Sequence, residues 1–103
     1  MNEIITKLAG VTFNDCQKNL KLFGNPSINT FDMRREAQNQ YDPNAIWVGT
    51  GTYHMGYLPK PLAQKIAPIM DGGKRFMAEY VALNQSEFYK TVGLTIKIIE
   101  INN

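Results

Sequence analysis

Hydrophobic and polar positions alternate along most of this chain, in short runs broken by turn residues. Over residues 4–13, Ile5, Ala9, Val11 and Phe13 fall on one face at period two, with Lys7 the exception, which predicts a strand. Gly10 interrupts that run and predicts a bulge or a close backbone approach. Residues 14–19 are polar and read as a loop, residues 20–23 as one short helical turn, and Gly24-Asn25-Pro26 as a turn. A second strand is predicted over 28–35, with Phe31, Met33 and Arg35 on one face and Thr30, Asp32 and Arg34 on the other. Arg35 ends an apolar row, at the rim of whatever that row covers. A polar loop, 36–44, leads into a third strand over 45–49. Thr50-Gly51-Thr52 is a tight turn, and a fourth strand over 53–58 completes a hairpin.

Pro59-Lys60-Pro61 opens a helix, because proline is tolerated in a first turn. Leu62, Ala63, Ile66, Ile69 and Met70 recur at helical spacing, and Asp71-Gly72-Gly73 ends the element. Pro68 lacks an N–H, so a kink or break is expected over 64–67. Residues 76–83 and 92–101 read as the fifth and sixth strands. In the last, Val92, Leu94, Ile96 and Ile98 alternate with Gly93, Thr95, Lys97 and Ile99. Between these strands, Phe88 and Tyr89 are expected to be exposed. The fold class this predicts is mainly β, a small six-stranded OB-like antiparallel barrel with one to two short helices.

Composition narrows the class. A chain of 103 residues has room for one domain, expected to span 1–103. With 44% hydrophobic and 19% charged residues it reads as a folded domain rather than a disordered one. A net charge of +2 neither requires nor excludes a nucleic-acid partner, because clustering matters more than the sum. Cys16 is the single cysteine, so an intrachain disulfide and a cysteine metal cluster are both excluded. With no signal-peptide pattern at the start and no apolar run of membrane-spanning length, a cytoplasmic protein is expected.

Enzyme chemistry finds little support. Asp32, Glu36, Asp42 and His54 could converge on a cation only by accident of fold, since no HExxH or DxD spacing is present. His54 reads as a solvent-facing strand residue. Cys16 lies in a polar stretch without a nucleophile elbow, and no glycine loop has phosphate-cradling grammar. No catalytic residue, metal or cofactor is therefore expected. The 36–44 loop is different, because it gathers carboxylates, amides and an aromatic hydroxyl between two strands. Asp42-Pro43-Asn44 is a natural turn that needs no function, but Tyr41 must either tuck into the core or offer its ring. Phe13, Tyr41, Tyr57 and Phe88 fall at strand ends or in loops, with Arg34, Arg35, Lys60, Lys65, Lys74 and Arg75 near several of them. Aromatic platforms interleaved with cations are the composition of a single-strand nucleic-acid surface. The competing account places Phe13 and Phe88 in the core and the cations in solvent.

Three blocks then carry a resemblance. Ala9-Gly10-Val11-x-Phe13, Arg35-x-x-x-Asn39-x-Tyr41-Asp42-x-Asn44-Ala45-Ile46-x-Val48 and Gly56-Tyr57-Leu58-x-Lys60, followed by the 63–70 helix, resemble the HIRAN domain family. The likeness runs from about Lys7 to the last strand and suggests a stand-alone member of bacterial or phage type. It implies an OB-like barrel that binds single-stranded DNA or DNA ends, 3′-hydroxyl ends among them, in repair or stalled-fork processing. A helicase or nuclease partner is implied as well. The same resemblance implies that Phe13 stacks on a base and that Tyr41 packs against the terminal sugar and base. It implies that Asp42 accepts a hydrogen bond from the 3′-hydroxyl, with Tyr57, Lys60 and Phe88 completing the pocket. Arg35, Asn39 and Asn44 are expected to support the loop. Thr12 departs from the pattern, standing where DNA-end-binding members carry arginine, which removes a phosphate contact and weakens the expected grip. A protein-interaction module without nucleic-acid binding is the alternative.

Overall fold

The computed structural model describes residues 3–86, 88 and 90–101; the expectation for Tyr89 lies outside them. In chain order the elements are β1 (Ile4–Lys7), α1 (Cys16–Phe23), β2 (Thr30–Arg35), β3 (Ile46–Thr50), β4 (Tyr53–Tyr57), α2 (Lys60–Asp71), β5 (Arg75–Asn84) and β6 (Gly93–Ile101). The strands form one antiparallel sheet in the order β1-β6-β5-β2-β3-β4. It curls into a partly closed barrel because the chain continuing from β1 meets β4 at the opposite edge. Leu8 still donates to Leu94 on β6, while Ala9 and Tyr57 exchange both backbone hydrogen bonds, at 2.7 and 2.8 Å. Gly56 makes that seam possible, since a Cβ there would lie 2.9 Å from the Ala9 carbonyl oxygen. Ring closure also shelters two otherwise open sheet edges.

The core follows the alternation. Phe31 and Met33 on β2, Leu94, Ile96 and Ile98 on β6, and Val48 and Met55 on the hairpin are buried. Each large apolar side chain so buried contributes about 1.5–3 kcal/mol. Helix α2 adds Ala63, Ile66 and Ala67 to this cluster. Pro68 produces no break: α2 is one helix from Lys60 to Asp71. The carbonyl that loses its partner belongs to Gln64, on the same exposed face as Pro68, where water can satisfy it.

Three other expectations are corrected. The first strand ends at Lys7, and its outward residue is Ile5, 64% exposed, while Ile4 packs against the core. Pairing with β6, not the count of apolar positions, set that phase. Beyond Ala9 the chain turns through Gly10, at φ 62°, so Phe13 sits in a turn and not on a strand. The polar stretch 14–19 is mostly helix: α1 starts at Cys16, which is fully buried with Asn19 and Leu20. Its polar side chains bond distant backbone. Asn19 donates to the His54 carbonyl at 2.8 Å, and Gln17 donates to the carbonyls of Val11 and Val92 while accepting from the Val92 amide, all at 2.8 Å. His54 is not solvent-facing. The bulge between Val48 and Gly49 turns it onto Trp47, 5.3 Å between ring centroids, and Nε2 donates to the Gly56 carbonyl at 2.8 Å.

Candidate functional site

An open cavity of about 420 Å³ lies where the Ala9–Tyr57 seam, the turn after Gly10 and the 36–44 loop meet. Phe13, Tyr41, Asp42, Tyr57 and Lys60 all line it, so five side chains from three separate blocks of sequence reach one place. Asn39 forms part of the wall. Arg35 and Asn44 stand outside the lining, behind the loop. Phe88 is not brought to the cavity. It is 88% exposed in the β5–β6 connection, whose flanking residues Gln85, Ser86 and Thr91 border a separate depression.

The loop is built on Arg35. As the end of β2 it is paired with Ile46, so its side chain reaches under the residues that follow. Nη1 donates to the Ala45 carbonyl at 2.9 Å and Nη2 to the Pro43 carbonyl at 3.0 Å, while Nε and Nη2 grip the Asp71 carboxylate at 2.9 and 3.2 Å. That fork geometry, bidentate on a carboxylate, is specific to arginine. The same contact holds the Asp71 carboxyl below its usual range: the Arg35 hydrogen bond is the main cause, desolvation opposes it, and the Arg35 charge adds a smaller lowering. Asn39 shapes the loop from inside. Its Oδ1 accepts from the amides of Tyr41 and Asp42 at 2.8 and 3.0 Å, and its Nδ2 donates to Glu36 Oε1 at 3.0 Å. Asp42 Oδ1 accepts from the Asn44 amide at 2.9 Å, the ordinary Asx turn. No described residue donates to Asp42 Oδ2. Asn44 takes part in this network through its backbone.

With the loop fastened this way, the Tyr41 ring has nothing to tuck against and is 74% exposed; Phe13, across the cavity, is 47% exposed. Tyr57 is half-buried. Its hydroxyl donates to Glu36 Oε1 at 2.7 Å, and burial, then the Glu36 hydrogen bond and charge, push the phenol up to about 12, so it stays neutral at ordinary pH. Gly10 lies against its ring: a Cβ there would sit 3.2 Å from Tyr57 Cδ2. Asp42 and Lys60 are the one carboxylate and the one cation among the described lining residues, set among apolar surface from Ala9, Ala45 and Leu58. Such a cavity can take a flat ring between aromatic walls, offer an acceptor to a hydroxyl and hold an anion near the ammonium.

Several supporting residues were not legible beforehand. Gln17 ties the turn bearing Phe13 to the start of β6, and it lies in a stretch that reads as loop. Glu36 joins Tyr57 to Asn39 through one oxygen. No short-range pattern marks either role, because the partners that tie them to other elements, Val92 for Gln17 and Tyr57 for Glu36, lie 75 and 21 positions away. The metal and nucleophile alternatives gain nothing from the geometry. Among the described residues no three His, Cys, Asp or Glu side chains are grouped to hold an ion. Cys16 is fully buried, and burial, with Asp15 adding to it, pushes its thiol up to about 11, away from the reactive thiolate. Among the described residues no helix is long and apolar enough to cross a membrane.

Comparison with known proteins bears on the fold and the family. A search of curated proteins gives no match. Two solved structures share the fold. One is a protein from Lactobacillus plantarum, 24% identical, TM-score 0.72, covering 96% of this chain and 97% of that one. The other is the HIRAN domain of human HLTF, 19% identical, TM-score 0.66, covering 96% of this chain and 74% of that one. The family model for the HIRAN domain matches residues 2–98, nearly the whole length, and the chain belongs to the HIRAN domain family.

Proposed function

We propose that this protein is a non-enzymatic DNA-binding module whose cavity receives the 3′-hydroxyl end of a single strand. Family membership supports DNA binding, and one observation supports the end: Asp42 is fixed by its turn through Oδ1, leaving Oδ2 without a described donor beside an exposed tyrosine. In this reading Tyr41 and Phe13 stack on the terminal bases, Tyr57 forms the floor and Lys60 meets a phosphate. Each stacked base contributes about 1–3 kcal/mol. Asp42 accepts a hydrogen bond from the terminal hydroxyl and repels a 3′-phosphate. A neutral Tyr57 suits this role, since a phenolate would add negative charge beside the strand. A place in DNA repair or stalled-fork processing, alongside a helicase or nuclease, is what the family resemblance suggests, and the cytoplasm is the location proposed from the sequence pattern. Domain limits of 1–103 belong to the same proposal.

Paired oligonucleotides that differ only in a 3′-hydroxyl or a 3′-phosphate test the reading by fluorescence anisotropy. The hydroxyl form is expected to bind at least about tenfold tighter, as for a like charge placed against a carboxylate, and Asp42→Asn is expected to narrow the gap. Equal binding of both ends by the unaltered protein would remove the Asp42 role.

A further inference from the structure

A second depression, also about 420 Å³, opens on the other side of Arg35, and four of the residues lining it are basic: Arg34, Arg35, Lys74 and Arg75. These are four of the eleven basic residues in the chain, against a net charge of +2 overall. The depression has a structural cause. Strands β2 and β5 are paired through Asp32 and Met77, and the ladder stops there. Two steps further, past Met33 and Phe76, Arg34 would stand opposite Arg75, a like-charge pair that a sheet disfavours. The strands part, and the gap between them is the depression.

Its cations are available to a ligand in different degrees. Arg35 is committed to the loop and to Asp71. Arg34 pairs with Asp32 at 3.0 Å and Lys74 with Glu100 at 2.9 Å, yet their side chains stay 49% and 60% exposed. Surface ion pairs are weak, so a phosphate competes readily with Asp32, 53% exposed, for Arg34, and less readily with the more sheltered Glu100, 22% exposed, for Lys74. Arg75 is exposed, and its side chain has no ion pair or hydrogen bond to a described residue. Arg34 is also preorganised: its guanidinium lies over the Trp47 ring, 4.3 Å from the centroid.

This depression is joined to the proposed end-binding cavity. Tyr57 pairs with Trp47, and Trp47 with Arg34, across β4, β3 and β2. Arg34, Arg35, Glu36 and Trp47 border a shallow hollow between the two, and Glu36 receives the Tyr57 hydroxyl. From Tyr57 to Arg34 is two strand spacings of ~4.8 Å, and because β2 and β5 have parted by then, the path on to Arg75 is at least a third, about 14 Å or more in all. That is the length of roughly four nucleotides at the stacked rise of about 3.4 Å.

We infer that the outer surface from Trp47 to Arg75 is a second contact for the same single strand, holding phosphates three to four nucleotides from the end (roughly, from that rise). Arg34, Lys74 and Arg75 take the backbone, and the Arg34 plane on Trp47 offers a stacking face to a base. Glu36, already accepting two hydrogen bonds, lies under the strand as a spacer rather than as a contact. The inference rests on the end-binding reading only for the direction of the strand.

The test compares a 5′-labelled trinucleotide with a decamer, both 3′-hydroxyl, on the unaltered chain and on a Lys74→Glu/Arg75→Glu double variant with an unchanged melting temperature. The decamer is expected to bind about tenfold tighter than the trinucleotide at moderate salt, with a log–log salt slope steeper by about 1.4–2.1, for two to three further phosphates. The double variant is expected to lose that advantage and keep its trinucleotide affinity. A decamer that binds no tighter than the trinucleotide, or whose advantage survives the double variant, overturns this inference alone. A decamer that needs Lys74 and Arg75 while the trinucleotide fails to bind upholds it and removes the end cavity. If neither oligonucleotide binds but an acidic peptide does, both readings fall.

Discussion

Two connections in this protein lift an aromatic ring into solvent, and they do so on very different foundations. The 36–44 loop holds Tyr41 at 74% exposure, while the β5–β6 connection holds Phe88 at 88%. Behind Tyr41, the Arg35 guanidinium spans two carbonyls and a carboxylate, the Asn39 amide takes two backbone N–H groups, and the Asp42 carboxylate takes a third. Near Phe88 the described bonds are from its own amide to Ser86 Oγ and the pair by which the Gln17 side-chain amide donates to the Val92 carbonyl and accepts from the Val92 amide. A loop that is already ordered spends little entropy when it meets a ligand. The contrast teaches that equal exposure need not mean equal readiness to bind.

The sharpest way to break this contrast is Arg35→Ala. Its side chain is only 15% exposed and its removal orphans two carbonyls and the Asp71 carboxylate, which lies in solvent and can rehydrate. A loss of about 2–4 kcal/mol in stability is expected, since bonds to a charged, half-buried donor are the costly ones to lose. Denaturant midpoints measure it, and oligonucleotide affinity should fall with it. Tyr41→Ala should separate binding from folding. Affinity drops by about 1–3 kcal/mol for a lost stacking platform, with stability unchanged within about 0.5 kcal/mol. On the same contrast, Phe88→Ala costs less affinity than Tyr41→Ala in the same titration, because fewer bonds among the described residues hold the connection that carries it. A larger loss for Phe88 would mean that the β5–β6 connection, and not the anchored loop, carries the contact.

The smallest effect is a pH dependence read on Tyr57. Its phenol is raised from 10 to about 12, so the folded state holds that proton more tightly than the unfolded chain does. The resulting stability is fully present below about pH 10 and is lost as pH rises towards 12, the window set by the two values. Tyr57→Phe should flatten that stretch of the stability profile, with phenolate absorbance marking the titration in the unaltered protein. An identical alkaline profile in both would mean that the Glu36 contact is not kept in solution.

Much of the architecture was legible in the alternation. Strands β2 and β6 have their apolar faces where period two puts them, and α2 has Ala63 and Ile66 at helical spacing on its buried side. The failures fell where distant partners outvoted local pattern. Helix α1 looked like a loop because its residues are polar, yet Gln17 and Asn19 spend that polarity on the backbone of β4 and β6. Pro68 looked like a break, yet the carbonyl it leaves unpaired faces water.

By itself the sequence determined the family and the strand periodicity, because both are written in nearby residues: the Tyr41-Asp42 turn and the Gly56-Tyr57-Leu58 step among them. Tertiary structure alone decided which side chains share a space. It took the seam between Ala9 and Tyr57, more than forty positions apart in the chain, to bring Phe13 opposite Tyr41 and to leave Phe88 elsewhere. Spacing along a chain sets which face a residue occupies; only closure of the sheet sets which faces meet.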